Sequence, residues 1–193
     1  AIDLAFNFEW ANAKLFYGQY RRLFSYFSNT GMEAKGLPEG KEREILLKYK
    51  DKLGTEIFDF PYQPTVNEDI NNPRKNLKQA VNLLKDAGYD FIDGRMTNLH
   101  TGEPLEVEIL SNTANGSSFT KVMLPFIENL RKIGIKAVFR NLEVNIFKNR
   151  LDNFDFDMAI ISFPVSQLPG NEQREYWGSE SADIKGSNNI IGI

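Results

Sequence analysis

Along the second half of this chain, segments with the apolar spacing of a strand alternate with segments that have the apolar spacing of a helix. Residues 105–111 alternate apolar side chains with Glu106 and Glu108, which predicts a strand with one buried and one exposed face. Residues 135–140 alternate in the same way. Residues 158–162 form a short apolar run after an acidic turn, as a buried strand does. The pattern therefore predicts three strands.

Helical spacing fills both intervals between these strands. The first helix is capped by Ser117 or Ser118 and ends at Gly134, and Pro125 inside it should bend it. The second covers residues 143–151 and points three apolar side chains inward, those of Val144, Phe147 and Leu151. Strands that alternate with helices are joined by right-handed crossovers. The predicted fold class is therefore α/β, a mainly parallel β-α-β-α-β sheet flanked by helices.

The first third of the chain predicts helices and a surface segment. An amphipathic helix over residues 1–17 ends at Gly18, and a heavily charged helix covers residues 38–54. Residues 58–72 contain two prolines and no sustained period, so they should cross the surface in an extended conformation.

The clearest helical signal follows directly. Asn72 is suited to cap a helix, Pro73 to occupy its first position and Gly88 to end it. The adjacent Asp93 and Gly94 predict a tight hairpin turn between two short strands.

Composition excludes several classes of function. The net charge is −3, the chain has no cysteine and one histidine, and no apolar run approaches the roughly 20 residues of a membrane-spanning helix. The charge gives no reason to expect nucleic acid, and without cysteine there are neither disulfides nor thiolate ligands. We therefore expect no cofactor, no metal ion and no nucleic-acid partner.

Both ends of the chain look interrupted. Ala1 stands directly in a helical pattern without a preceding Met, and the chain stops in the apolar run NNIIGI. We therefore expect a piece of a longer protein, without its targeting segment. The alternative is a natural chain with trimmed termini.

The polar and aromatic stretch after the third strand is the best candidate for a binding site. Open α/β sheets bind ligands outside the carboxyl ends of their strands. Phe163 and Trp177 would offer stacking surfaces, and Arg174 could hold a carboxylate through two hydrogen bonds. The candidate ligand-binding residues are Ser162, Phe163, Ser166, Gln167, Asn171, Arg174 and Trp177. The alternative is a surface loop whose Tyr176 and Trp177 only cover the edge of the core.

Other reactive side chains fit structural roles better. Asp152, Asp155 and Asp157 lack the glycine and the distant glutamate of a calcium loop, which favours a solvated turn between helix and strand. His100 lies between two turn signals and no G-x-S-x-G motif is present, so an exposed loop histidine is expected. Asn115 begins a formal glycosylation sequon, but the same residues suit a turn before a helix.

Several stretches of the sequence resemble one protein family. The resemblance is carried by AFNFEWANAKLFYGQYRRLFSYFSN, LPFIENLRKIGI, NRLDNFDFDMAI, and PGNEQREYWGS followed by GSNNIIGI. Together they resemble the extracellular solute-binding proteins of family 5, the peptide- and nickel-binding receptors of ABC importers. Within that family they are most similar to the branch for oligopeptide and microcin C-type uptake. The similarity covers essentially the whole chain, and PGNEQREYWGS at its spacing from FDFD is fairly specific.

The resemblance implies a periplasmic or lipid-anchored extracellular receptor, expected to be a monomer, that delivers oligopeptides or peptide-like solutes to ABC permease subunits. It covers only the second lobe of a two-lobed body, so residues 1–193 are expected to form that lobe, with the ligand in the cleft between lobes. Many relatives carry a tryptophan and an acidic residue after the last strand of this lobe. Phe163 and Ser166 stand there in this chain, which argues against a simple salt bridge to the peptide's amino terminus.

Two other functions stay open. An interaction domain without a small ligand predicts a flat surface at the strand ends. A hydrolase would use His100 or the aspartate cluster, and a turnover lost in His100→Ala would support it.

Overall fold

A computed structural model describes residues 1–113, 117–164, 166 and 168–192, and the chain divides into two compact units. The larger one, the α/β unit, contains Ala1–Gln19, Val66–Pro164 and Gly170–Ile193. The smaller unit contains Tyr20–Thr65 and Val165–Pro169.

The α/β unit contains a parallel sheet and a hairpin. Its strands are β1 (Tyr89–Ile92), β2 (Arg95–Asn98), β3 (Glu106–Ser111), β4 (Lys136–Asn141) and β5 (Met158–Ala159). β3 lies between β4 and β5 and is parallel to both, which confirms the predicted sheet. β5 is shorter than predicted. The hydrogen bond from the N–H of Ile160 to the carbonyl of Leu110 follows directly after its last residue. β1 and β2 pair through the predicted turn, where Asp93 and Gly94 both have positive φ.

The helices of the described residues occur in both units. They are α1 (Phe8–Leu15), α2 (Gly40–Leu47), α3 (Glu56–Asp59), α4 (Arg74–Asp86), α5 (Ser118–Lys132), α6 (Val144–Asp152) and α7 (Glu172–Trp177). α5 connects β3 to β4 and α6 connects β4 to β5, as the alternating pattern predicts. Over the part of the chain that the structure describes, no helix has the length and apolar character needed to span a membrane.

The C-terminal half of β3 is buried on both faces. Val107 and Ile109 belong to the larger core cluster, which also contains the apolar face of α5. Leu110 points to the opposite face and is fully buried in a cluster with Phe147 and Leu151 of α6. The prediction of an exposed second face is therefore wrong at the end of this strand, because α6 covers the sheet there.

The helix predicted over residues 1–17 is interrupted. A 3₁₀ turn over Ile2–Ala5 precedes α1, and Asn7 caps α1 by accepting a hydrogen bond from the N–H of Trp10 at 3.0 Å. The side-chain amide of Asn7 also donates to the carbonyl of Ile70 at 2.9 Å. Such hydrogen bonds from a side chain to the backbone compete with those of the helix, and the spacing of apolar residues does not predict them.

The predicted helix caps lie within a residue of the observed ones. Asn72 accepts a hydrogen bond from the N–H of Arg74 at 3.2 Å, although Pro73 rather than Asn72 occupies the cap position. Ser117 caps α5 and accepts from the N–H of Thr120 at 3.4 Å. Pro125 lies inside α5, where it supplies no N–H to the helix.

The smaller unit departs more from the prediction. The helix expected over residues 38–54 is shorter, since α2 ends at Leu47 and only a 3₁₀ turn over Lys50–Lys52 follows. α3 occupies the start of the segment expected to be extended. Ile45 and Tyr49 of this unit are exposed, so apolar spacing alone overestimates the length of the helix.

Candidate functional site

A groove lies at the carboxyl ends of β3 and β5. Asn112 and Thr113 follow β3 into its wall, and residues 161–163 follow β5. Helices α5 and α6, Tyr176 of α7 and residues near the C-terminus complete the wall, and the groove has a volume of about 730 Å³. This is the place at which α/β sheets bind ligands.

Three aromatic rings cluster at the edge of the groove. The ring centroid of Phe163 is 5.3 Å from that of Tyr176 and 4.9 Å from that of Trp177. α7 carries both partners and ends at Gly178, whose carbonyl accepts a hydrogen bond from the buried Asn189 at 3.0 Å. The stretch predicted as a loop therefore contains a helix, which brings two rings to the strand end.

The floor of the groove comes largely from α6. Phe147 and Leu151 are buried and line it, as their predicted inward direction implies. Val144 lines it as well but is 57% exposed, so its predicted burial is wrong. Val144 is the first residue of α6 and follows the carboxyl end of β4 by three residues.

Polar groups of the groove are partly engaged. Lys148 and Asp152 pair with each other across one turn of α6, with their charged atoms 2.6 Å apart. Among the described residues, the side chains of Asn112 and Ser162 have no hydrogen-bond partner, and both residues are exposed. Within the described ranges, the groove thus offers the side chains of Asn112 and Ser162 for hydrogen bonds to a ligand, and its two charged residues pair with each other.

The predicted site residues separate into two groups. Ser162 and Phe163 line the groove, and Trp177 contacts Phe163, so the structure brings these three together. Ser166 lies in the smaller unit, where its hydroxyl donates to the carbonyl of Leu168. Gln167 lies outside the described residues.

Arg174 and Asn171 lie on or next to α7. Asn171 is exposed and precedes the helix. The side chain of Arg174 is 80% exposed and donates to Glu180 at 3.0 Å. The pKa of Glu180 is lowered by a hydrogen bond from its own backbone N–H and by Arg174. Arg174 therefore already holds a carboxylate of this chain, and its role toward a ligand stays a prediction.

The aspartates considered for calcium each have a structural partner. Asp152 pairs within α6, Asp155 pairs with Arg150 at 2.9 Å, and Asp157 accepts a hydrogen bond from the N–H of Glu108 at 2.8 Å. Within the described ranges, no group of three or more histidine, cysteine or acidic residues could hold a metal ion. These contacts favour the turn over the calcium loop.

The alternative functions find little support in the geometry. A serine hydrolase would need His100 to act on a nearby serine. His100 is exposed on the turn after β2, whereas Ser111 is fully buried at the end of β3 and hydrogen-bonds to Thr113 at 2.9 Å. The strand ends form a groove, whereas an interaction domain without a ligand predicts a flat surface there. Asn115 of the sequon lies outside the described residues.

The sequence prediction missed part of the groove. Asn112 and Thr113 follow β3 directly, so the strand-end rule that selected Ser162 could have found them. Phe119 and Val144 reach the groove only because of how α5 and α6 pack. No local pattern in the sequence marks them.

Comparisons with known proteins place these observations in a family. The model of the bacterial extracellular solute-binding proteins, family 5 (middle), matches residues 1–184. The chain is 42% identical over 193 residues to "Probable peptide-binding protein YejA" of Agrobacterium fabrum. This match covers all of the present chain and 31% of that protein. The chain is 32% identical over 193 residues to "Peptidoglycan-binding protein YepA" of the same organism, again over 31% of its length. The chain thus spans about a third of the relatives it matches.

A solved structure shows the same fold. The chain is similar to the oligopeptide-binding protein AppA of Bacillus subtilis, solved in complex with a nonapeptide, with a TM-score of 0.68 and 18% identity. The likeness covers 99% of this chain and 31% of AppA. Together with the observed parallel sheet, it confirms the predicted fold class.

Proposed function

We propose, from the fact that this chain belongs to family 5 of the bacterial extracellular solute-binding proteins, that it forms the second lobe of a receptor for oligopeptides or peptide-like solutes. The observation that carries the proposal is the groove at the carboxyl ends of β3 and β5, with the aromatic cluster at its edge. The receptor holds its ligand between two lobes and passes it to the membrane subunits of an ABC importer.

Family membership confirms the resemblance seen in the sequence and two coarser expectations. The family consists of solute-binding proteins, so the chain belongs to a binding protein rather than an enzyme. The extracellular nature of the family agrees with the predicted periplasmic or extracellular location.

The groove suits a peptide. Asn112 and Ser162 are free to hydrogen-bond to a peptide backbone, which presents a donor and an acceptor at nearly every residue. The ring of Phe163, held by Tyr176 and Trp177, offers an apolar face to its side chains. Closure of the other lobe over the groove would then exclude water from these contacts.

The names of relatives support the same ligand class. One of the two Agrobacterium relatives is named for peptides and the other for peptidoglycan, and AppA was solved with a nonapeptide. Peptidoglycan contains short peptides, so a peptide group is common to all three.

The first test identifies the retained solute. The full-length receptor that carries this chain is purified without denaturation, and its solutes are released and analysed by mass spectrometry. We expect peptides or peptide-containing fragments. Retention of sugars or metal complexes alone would contradict the proposal.

The second test locates binding in the groove. Ser162→Ala and Trp177→Ala in the full-length receptor should each weaken binding of the retained peptide by about 1–3 kcal/mol. The control Leu83→Ala, at an exposed position of α4, should leave affinity unchanged. Unchanged affinity in both groove variants, with the receptor still folded, would place the ligand elsewhere.

The third test concerns the lobe alone. Its helices cover its sheet, so this 193-residue chain should unfold cooperatively in isolation. It offers only part of the contacts while most of the entropy cost of association remains, so its affinity should fall about a thousandfold, from micromolar to millimolar. Calorimetry with a peptide that the receptor binds measures this. Micromolar binding by the chain alone would contradict the two-lobed arrangement.

A further inference from the structure

We propose that the groove receives a bulky, uncharged apolar side chain of the ligand, such as that of leucine or phenylalanine, and neither a charged side chain nor a charged peptide terminus. This inference rests on the proposed function and names the ligand class that this lobe selects.

Exposed apolar side chains at the groove give the first argument. Phe119 of α5 is 49% exposed and Val144 of α6 is 57% exposed, and both line the groove. Beneath them lie the buried Phe147 and Leu151, and the ring of Phe163 adds to the wall. Exposed apolar surface that is continuous with a buried apolar floor gains free energy when another apolar group covers it.

Charge gives the second argument. Lys148 and Asp152 are the charged residues among those that line the groove in the described part of the chain, and they neutralise each other at 2.6 Å. Arg174 lies two residues before Tyr176 at the edge of the groove, and it is paired with Glu180. A charged group that entered the groove would lose water without gaining a counter-charge, which is costly.

Size gives the third argument. A volume of about 730 Å³ lies within the range of sites for small molecules. It is large enough for one large side chain together with its backbone, which Asn112 and Ser162 can bind at the strand ends. The charged ends of the peptide are then bound outside this groove.

A peptide series tests the proposal in the full-length receptor. The probes are pentapeptides of alanine in which each position in turn is leucine, phenylalanine, aspartate or lysine, and calorimetry measures their affinities. At one position, leucine or phenylalanine should bind about tenfold or more tightly than alanine, since burial of such a side chain yields that much. Aspartate and lysine there should bind no better than alanine. Equal affinities for all substitutions would overturn the inference but leave a peptide receptor.

A matched pair of variants ties the preference to the groove. Val144 and Ile146 lie two residues apart in the first turn of α6 with exposures of 57% and 54%, but only Val144 is among the groove residues. An aspartate is favourable in the first turn of a helix, so both Val144→Asp and Ile146→Asp should fold.

Val144→Asp should abolish the preference for leucine and improve binding of the lysine peptide at that position, whereas Ile146→Asp should bind as the unmodified receptor does. Identical behaviour of the two variants would overturn the inference. Absence of binding by any pentapeptide or retained peptide to the unmodified receptor would overturn the proposed function itself, and the inference with it.

Discussion

Phe163 should stabilise the binding edge through its two ring contacts. Phe163→Ala removes the pairs with Tyr176 at 5.3 Å and Trp177 at 4.9 Å. Each aromatic pair contributes about 0.5–1.5 kcal/mol beyond its buried area, and partial burial of the ring adds about 1 kcal/mol. The free energy of unfolding should therefore fall by about 3 kcal/mol. For a chain of this size, that loss corresponds to a decrease in Tm of about 6–12 °C.

The control is Phe119→Ala, which removes an equal ring from α5. Phe119 is 49% exposed, and no aromatic contact to it occurs among the described residues, so its loss should cost about 1 kcal/mol or less. Urea unfolding of this chain and its two variants, followed by circular dichroism, measures both differences. Equal losses would mean that the ring contacts with α7 contribute nothing, and the reasoning about the aromatic cluster would be refuted.

Three further predictions concern the sheet. Leu110→Ala should lower the free energy of unfolding by about 2–5 kcal/mol, because Leu110 is fully buried under α6. Gly134→Ala should destabilise the chain clearly more than Gly102→Ala: both glycines have positive φ, but only at Gly134 would the new Cβ lie 2.7 Å from the backbone N of Met96. Arg150→Met should reduce the amount by which the free energy of unfolding falls as the pH is lowered into the acid range. The pKa of Glu108 is lowered from its ordinary 4.5, mainly by the hydrogen bond from Arg150, so this contribution is complete above pH 4.5 and is lost as pH falls through the lowered value.

Each of these has a clear contrary result. Leu110→Ala without effect would mean that the second core cluster does not stabilise the sheet. Equal losses in the two glycine variants would mean that the positive φ common to both glycines explains the whole loss of stability, and that the contact with Met96 adds nothing. An unchanged acid profile in Arg150→Met, followed by urea unfolding between pH 3 and 6, would show that Glu108 is not held by Arg150 in solution.

The sheet could be predicted from the sequence because its determinants are local. β3 alternates apolar and polar residues up to Ile109, β4 alternates except at Val138, and Gly134 separates the intervening helix from the next strand. The alternation failed at Leu110, since the covering of a second face depends on where α6 packs.

The site was only partly predictable. The strand-end rule selects Ser162 and Phe163, which follow β5 within four residues and do line the groove, while their role toward a ligand stays a prediction. It does not show that Arg174 pairs with Glu180, which is a contact made across the end of α7. Nor does it reveal Val144, which reaches the groove through tertiary packing.

The central claim is that the ligand lies in the groove at the carboxyl end of the sheet, and site-specific cross-linking tests it most directly. A photoreactive benzoylphenylalanine replaces Ser162 in one form of the full-length receptor and Ile146 in another, and each is irradiated with its retained solute bound. Mass spectrometry should find a peptide joined to position 162 and none at position 146. Solute retained by both forms but joined to neither position 162 nor its neighbours in the groove would contradict the account.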